Sequence, residues 1–176
     1  RCPQTKAERL SSTYPAIPPA RRHALTHDPM TTLDETQTML RDSVQAFHER
    51  HPAPARVRRV RDTSVPFDRA VWREMAEAGW HGVLVPEDLG GHGLGVAETA
   101  LIANELGRGL APEPFVASGV LVVQALVALA TESAAARQLL ESVVSGETVA
   151  ALAWQEEAGA LDLDNIQLQA SKHGEG

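Results

Sequence analysis

A chain of 176 residues, 43% of them hydrophobic, has material for one packed core and part of a second. Its net charge of −7 is unevenly spread: residues 1–73 hold 13 Lys and Arg against 8 Asp and Glu, and the remainder hold 3 against 15, which excludes the coherent basic face that nucleic-acid binding requires. The single cysteine, Cys2, excludes an intrachain disulfide and a cysteine zinc set, and points to a reducing compartment, so the expected location is cytoplasmic.

Residues 1–29 hold five of the eleven prolines and no apolar run that could form the core of a signal peptide. They are expected to be a disordered tail, or upstream sequence read in frame with Met30 as the true start. From Met30 the helix signals come in order. Thr32 with Glu35 three places on forms a capping box, and Leu33, Leu40, Val44 and Phe47 repeat at helical spacing until Pro52 stops them. The basic run "ARVRRVRD", with Arg56, Arg58, Arg59 and Arg61, follows; without interleaved aromatics it is expected to be a solvated face or a contact between subunits. A second helix starts near Asp68 behind Pro66, carries Val71, Met75 and Ala78, and ends at Gly79.

The glycine-rich stretch "GWHGVLVPEDLGGHGLG" then invites comparison with phosphate loops. A dinucleotide fingerprint from Gly91 needs a small residue at position 96 and a Walker loop needs lysine there, but Val96 stands in that place. The expectation is a tight turn that leads "VLVPE" closely into a third helix, "GVAETALIANELGRGL". That helix carries apolar residues on more than one side (Ala97, Ala100 and Leu101; Ile102, Leu106 and Leu110), which implies burial nearly all round. Pro112 and Pro114 precede a fourth helix from Phe115 to Ala130. Interrupted by Ser118, Gly119 and Gln124, it falls short of the roughly 20 apolar residues of a membrane span. The fifth helix, "ESAAARQLLESVVSG", closes on Gly146.

At Thr148 the texture changes. "TVAALAWQEE" and "NIQLQAS", the latter alternating from Ile166, are expected to be the first strands of a β-domain that a strand pair alone cannot complete. The fold expected is mainly α: an N-terminal helical bundle domain of about five helices over residues 30–146, followed at 147–176 by the first strands of a truncated β-domain.

The residues alone name no reaction. His48 and His51 lie three apart before a helix-ending proline, His81 and His92 lie in loops, and no ligand set is completed, so no metal site is expected. There is no G-x-S-x-G elbow, and Glu105, Glu156 and Glu157 read as solvated charges.

The order of segments carries more. "FDRAVWREMAEAGWHGVLVPEDLGGHGLG", then "ETALIANELGRGLAPEPF", then "LLESVVSGETVAALAWQEE" resembles the N-terminal part of an acyl-CoA dehydrogenase subunit, from about Leu33 onward. The resemblance implies a flavoenzyme of three parts, with FAD between a middle β-domain and C-terminal helices, and an acyl-CoA substrate oxidised on its CH–CH group. An electron-transfer acceptor and a homo- or hetero-oligomer are implied as partners, and neither nucleic acid nor a membrane span. The family's flavin strand, similar to T-E-P-x-x-G-S-D, matches "QEEAGALD" at Glu156 and Asp162, while Gln155 replaces threonine, Glu157 proline, Ala160 glycine and Leu161 serine. Trp154, Gln155 and Glu156 are therefore the expected cofactor-binding residues, with Trp154 either a β-domain core aromatic or flavin-facing. Leu106, Leu110 and Phe115 are the expected lining of the acyl pocket. The departures resemble the divergent branch that includes small subunits of heteromeric dehydrogenases of the pimeloyl-CoA type. The catalytic carboxylate is expected in a C-terminal domain beyond this chain, so the chain by itself is expected to be inactive; the alternative reading is a non-catalytic partner or scaffold subunit.

Overall fold

The computed structural model describes residues 32–156 together with 168 and 169. The chain divides into two units, Arg1–Thr32 and Leu33–Gly176, and every helix named below lies in the second.

Helix α1 spans Glu35–Arg50. Its cap is Asp34, not Thr32: the Asp34 carboxylate accepts from the Gln37 amide at 2.8 Å, and Gln37 Oε1 accepts from the Asp34 amide at 3.3 Å. Both registers satisfy the capping-box pattern. The observed one also lets Gln37 Nε2 donate to Glu98 Oε1 at 2.9 Å, a bond to a distant segment that local pattern does not contain.

Pro52 ends α1 and also begins a helix that the sequence reading left out, α2, Ala53–Asp62. With Pro54 in its first turn, α2 uses proline where no intrahelical amide is required. Its arginines divide. Arg58, Arg59 and Arg61 are exposed as expected, but Arg56 is only 9% exposed and enters the core.

Helix α3, Arg69–Glu77, starts where expected: Asp68 accepts from the Ala70 amide at 3.0 Å, and Val71, Trp72 and Met75 are buried. The turn after it is left-handed at Gly79 (φ +81°). The glycine-rich stretch forms two single 3₁₀ turns, Trp80–Gly82 and Glu87–Leu89, and doubles back on itself. His92 N donates to Gly82 O at 3.0 Å, Leu94 N to Val83 O at 2.9 Å, and Gly93 N to Val85 O at 2.8 Å. A Cβ on Gly91 would lie 2.1 Å from the Val85 carbonyl oxygen. The glycine here admits the chain's own backbone.

Helix α4, Val96–Arg108, opens with Glu98 Oε2 accepting from the Gly95 amide at 2.9 Å. It buries a single face, Thr99, Ile102 and Leu106, whereas Ala97 and Ala100 are exposed; the expectation of burial all round is corrected. The expected fourth helix is two conformations in series. Phe115–Val122 is a π-helix, and α5, Val123–Leu129, continues it as an α-helix. Helix α6, Ala134–Val144, is capped by Ser133 and ends before Gly146 at φ +76°.

Two apolar clusters result. Val44, Phe47, Trp72, Met75, Trp80, Ile102, Leu106 and Phe115 form one, and Val85, Val123, Leu126, Leu140 and Val143 lie in the other. Residues 148–155 carry no regular secondary structure, and the strand expected from Ile166 lies outside the described residues. Among the described residues no helix is long and apolar enough to cross a membrane.

Candidate functional site

Of the three residues expected to line an acyl pocket, the structure brings two together. Leu106 near the end of α4 and Phe115 at the start of the π-helix are each 4% exposed. They share an apolar cleft of about 250 Å³ with Ala103, Ala111, Glu113, Pro114 and Val116. Leu110 does not join them. It is 63% exposed and has φ +52°, the left-handed conformation that closes α4 and that glycine takes more readily. Gly109, one residue earlier, has an ordinary φ of −83°, so the glycine in "GRGL" marks the helix end one position early.

The π-helix shapes the wall of the cleft. A run of π turns is rare in proteins and often marks a functional site. Here Ser118 is fully buried, and its Oγ accepts from the Ala150 amide at 3.1 Å, tying the helix to the segment after α6. Gly119 lies where a Cβ would sit 3.2 Å from the Phe115 ring and 3.4 Å from His81. His81 is 1% exposed and stacks on Trp72 with ring centroids 4.0 Å apart, 6.4 Å from the Phe115 ring. Neither imidazole nitrogen has a hydrogen-bond partner. Burial pushes the ring down to about 4, and the nearby Val143 and Val144 backbone, not in hydrogen-bond geometry, opposes this only in part.

Two further residues complete the site: Glu113, which the sequence pattern does not mark, and Arg56, expected on a solvated face or subunit contact but buried here. Glu113, between Pro112 and Pro114, has no side-chain exposure, and its Oε2 accepts a short hydrogen bond from Arg56 Nη2. Arg56 also donates from Nη1 to the His51 carbonyl at 2.9 Å, and its guanidinium lies over the Phe47 ring at 5.4 Å. Burial pushes the Glu113 carboxyl above the usual carboxylate range, with Arg56 pulling it back. No local pattern marks Glu113, because its partner lies 57 residues away in the sequence.

His48 and His51 are committed to contacts between helices. His48 Nε2 is 2.8 Å from the Glu105 carbonyl, and His51 Nε2 is 2.5 Å from Glu74 Oε2, with Arg50 holding the same carboxylate. No group of three or more His, Cys, Asp or Glu that could hold a metal occurs among the described residues. A larger cleft of about 540 Å³ lies at the glycine-rich turn, but Asp88, His92, Arg137 and Glu141 line it, a charged set unsuited to an acyl chain.

The expected cofactor residues follow α6 in the irregular segment. Trp154 is half-buried, Gln155 and Glu156 are exposed, and Glu156 Oε1 accepts from the Leu168 amide at 2.6 Å. A flavin asks for donors and acceptors along its edge and an apolar surface for its face, and an amide beside a half-buried indole fits that requirement.

Comparison with known proteins converges on one family. Residues 34–147 match the model for the acyl-CoA dehydrogenase N-terminal domain. The chain is 36% identical over 124 residues to acyl-CoA dehydrogenase IpdE2 of Mycobacterium tuberculosis, covering 70% of this chain and 37% of that protein. It is 31% identical over 175 residues to the mitochondrial isovaleryl-CoA dehydrogenase of Pongo abelii, covering 94% of this chain and 41% of that one. Among solved structures, the ChsE4-ChsE5 complex from Mycobacterium tuberculosis matches with a TM-score of 0.60 and 31% identity, over 73% of this chain and 35% of the matched one. The chain thus spans about two fifths of the length of these curated relatives. A helical domain with this order of caps, glycine turn and buried face, matched by the family's model over most of its described length, belongs to the acyl-CoA dehydrogenase family and is its N-terminal domain.

Proposed function

We propose that this chain is the N-terminal portion of an FAD-dependent acyl-CoA dehydrogenase-like oxidoreductase that acts on the CH–CH group of an acyl-CoA thioester. The observation that supports this most is the apolar cleft that Leu106 and Phe115 both line, in a domain of this family. These two side chains form one wall of the acyl site, exclude water from it and limit the shape of the chain that enters. Leu110, turned to solvent, is left out of that wall. Trp154 offers an apolar face and Gln155 a donor and acceptor to the isoalloxazine, while Glu156 holds the neighbouring backbone through Leu168. When bound, FAD supplies the acceptor for the two electrons leaving the substrate. The base that takes the α-proton would belong to the remaining part of the protein, and an electron-transfer acceptor would be its redox partner. A cytoplasmic homo- or hetero-oligomer is the assembly proposed.

The test is made on the protein expressed from its whole reading frame. Flavin absorbance in the purified protein, bleached anaerobically by isovaleryl-CoA, butyryl-CoA or octanoyl-CoA, is the expected result, and Phe115→Trp should weaken bleaching by the bulkier chains first. Bound flavin that no acyl-CoA bleaches would refute the reading.

A second reading has its own support. Leu161 stands where the family's flavin strand has a serine, and the ChsE4-ChsE5 match is to a complex of two components. In that reading the chain is a non-catalytic partner of an active dehydrogenase. Purification without flavin, in a stable complex with an active homologue, would select it.

A further inference from the structure

The loop between α4 and the π-helix has little to hold it by backbone. Pro112 and Pro114 have no amide hydrogen to donate. Its hydrogen bonds are local: Ala111 N donates to Leu106 O at 3.0 Å, and Phe115 N to Glu113 O at 2.8 Å. The tether to another part of the fold is the Glu113 side chain, which reaches Arg56 on α2. Arg56 in turn is anchored to the end of α1 through the His51 carbonyl and the face of Phe47. A single guanidinium therefore connects α1, α2 and the loop that leads into Phe115.

The pair is poorly arranged as a source of stability. Glu113 Oε1 and Arg56 Nε are both buried without hydrogen-bond partners. A buried ion pair with unsatisfied atoms is often no more stable than an apolar pair of the same size. What it does provide is a fixed position, because Arg56 holds the Glu113 carboxylate along a defined direction.

We propose that Arg56 and Glu113 are positioning residues that hold the loop wall bearing Phe115 against Leu106, and so set the width of the acyl cleft and the acyl chains it accepts. The selectivity part rests on the function proposed above; the positioning part does not. Loss of the tether frees the proline loop, and the cleft widens or collapses without loss of the apolar core beneath it.

Two readouts on the full-length flavoprotein test this, in Arg56→Met and in Glu113→Leu, which removes the acceptor and carries the same comparison should Arg56→Met fail to fold. In hydrogen exchange, the amides of Phe115 and Ser118 should exchange about tenfold faster than in the wild type, while those of Leu140 and Val143 in α6 stay within about twofold. In steady-state kinetics, the ratio of kcat/KM for octanoyl-CoA to that for butyryl-CoA should change about fivefold or more, mainly through KM. Equal acceleration of exchange throughout the domain would show a merely structural pair and overturn the proposal. So would local acceleration with an unchanged ratio in an active enzyme. Should the wild type oxidise no acyl-CoA, the functional reading fails, and the exchange pattern still decides whether the pair fixes the wall.

Discussion

His81 makes the fold sensitive to acid in a calculable way. The ring is 1% exposed, stacked on Trp72, and without a hydrogen-bond partner for either nitrogen, so a proton gained there would place a cation in an apolar site. Burial lowers it from 6.5 to about 4. Since the folded value lies below the unfolded one, stability from this group is fully present above about pH 6.5 and is lost as pH falls towards 4. At about 1.36 kcal/mol per pH unit the loss is capped at about 3 kcal/mol, most of it reached by pH 4.5. Asp68, Glu74 and Glu98 are held below their usual values, first by hydrogen bonds from Arg59, Arg50 and Gln37 respectively, so their losses fall mainly below that window. Glu113, raised by burial, acts in the opposite sense, its contribution to stability falling as pH rises. Comparison with His81→Phe cancels these common contributions, because phenylalanine fills the ring's place with no titrating group. Urea unfolding from pH 7.5 to 4.5 should show the wild type losing about 2 to 3 kcal/mol more than the variant. Curves parallel to within about 0.5 kcal/mol would refute the reasoning.

Gly91→Ala should destabilise the domain by about 3 kcal/mol, because its Cβ would meet the Val85 carbonyl oxygen at 2.1 Å and Val85 Cβ at 2.3 Å; thermal unfolding beside the wild type measures it. Gly90→Ala provides the contrast, since a Cβ there meets nothing within 4 Å and its cost comes from φ +84° alone, about 1 kcal/mol. Asp34→Ala should lose about 1 kcal/mol of stability, whereas Thr32→Ala should lose almost none, a pair of denaturant midpoints that checks the observed capping register.

Much of the helical framework is legible from local chemistry. Asp68 behind Pro66, Ser133 before an alanine-rich run, and the glycines at 79 and 146 each act within one turn of their own position, so residue type suffices to place the ends of α3 and α6. Pro52 shows where that fails. A helix-stopping proline and a helix-starting proline are the same residue, and α2 is hidden in the sequence because its arginines offer no apolar stripe. The π-helix is equally hidden, since "FVASGVLV" suits an α-helix as well, and the wider turn lies where Ser118 and Gly119 meet the Ala150 amide and His81.

The candidate site divides along the same line. Apolar residues near the end of α4 and the start of the following helix mark a wall, because burial follows from side-chain type and spacing, and the succession of segments marks the family. Which of them meet is a matter of three-dimensional placement. Leu110, one turn from Leu106, points to solvent because the chain leaves α4 through a left-handed residue, and Arg56 meets Glu113 across 57 residues of sequence. Local propensity acts over three or four residues and was readable in order along the chain; the buried pair, the isolated imidazole and the narrow cleft exist only where distant segments exclude water together, and packing alone decided them.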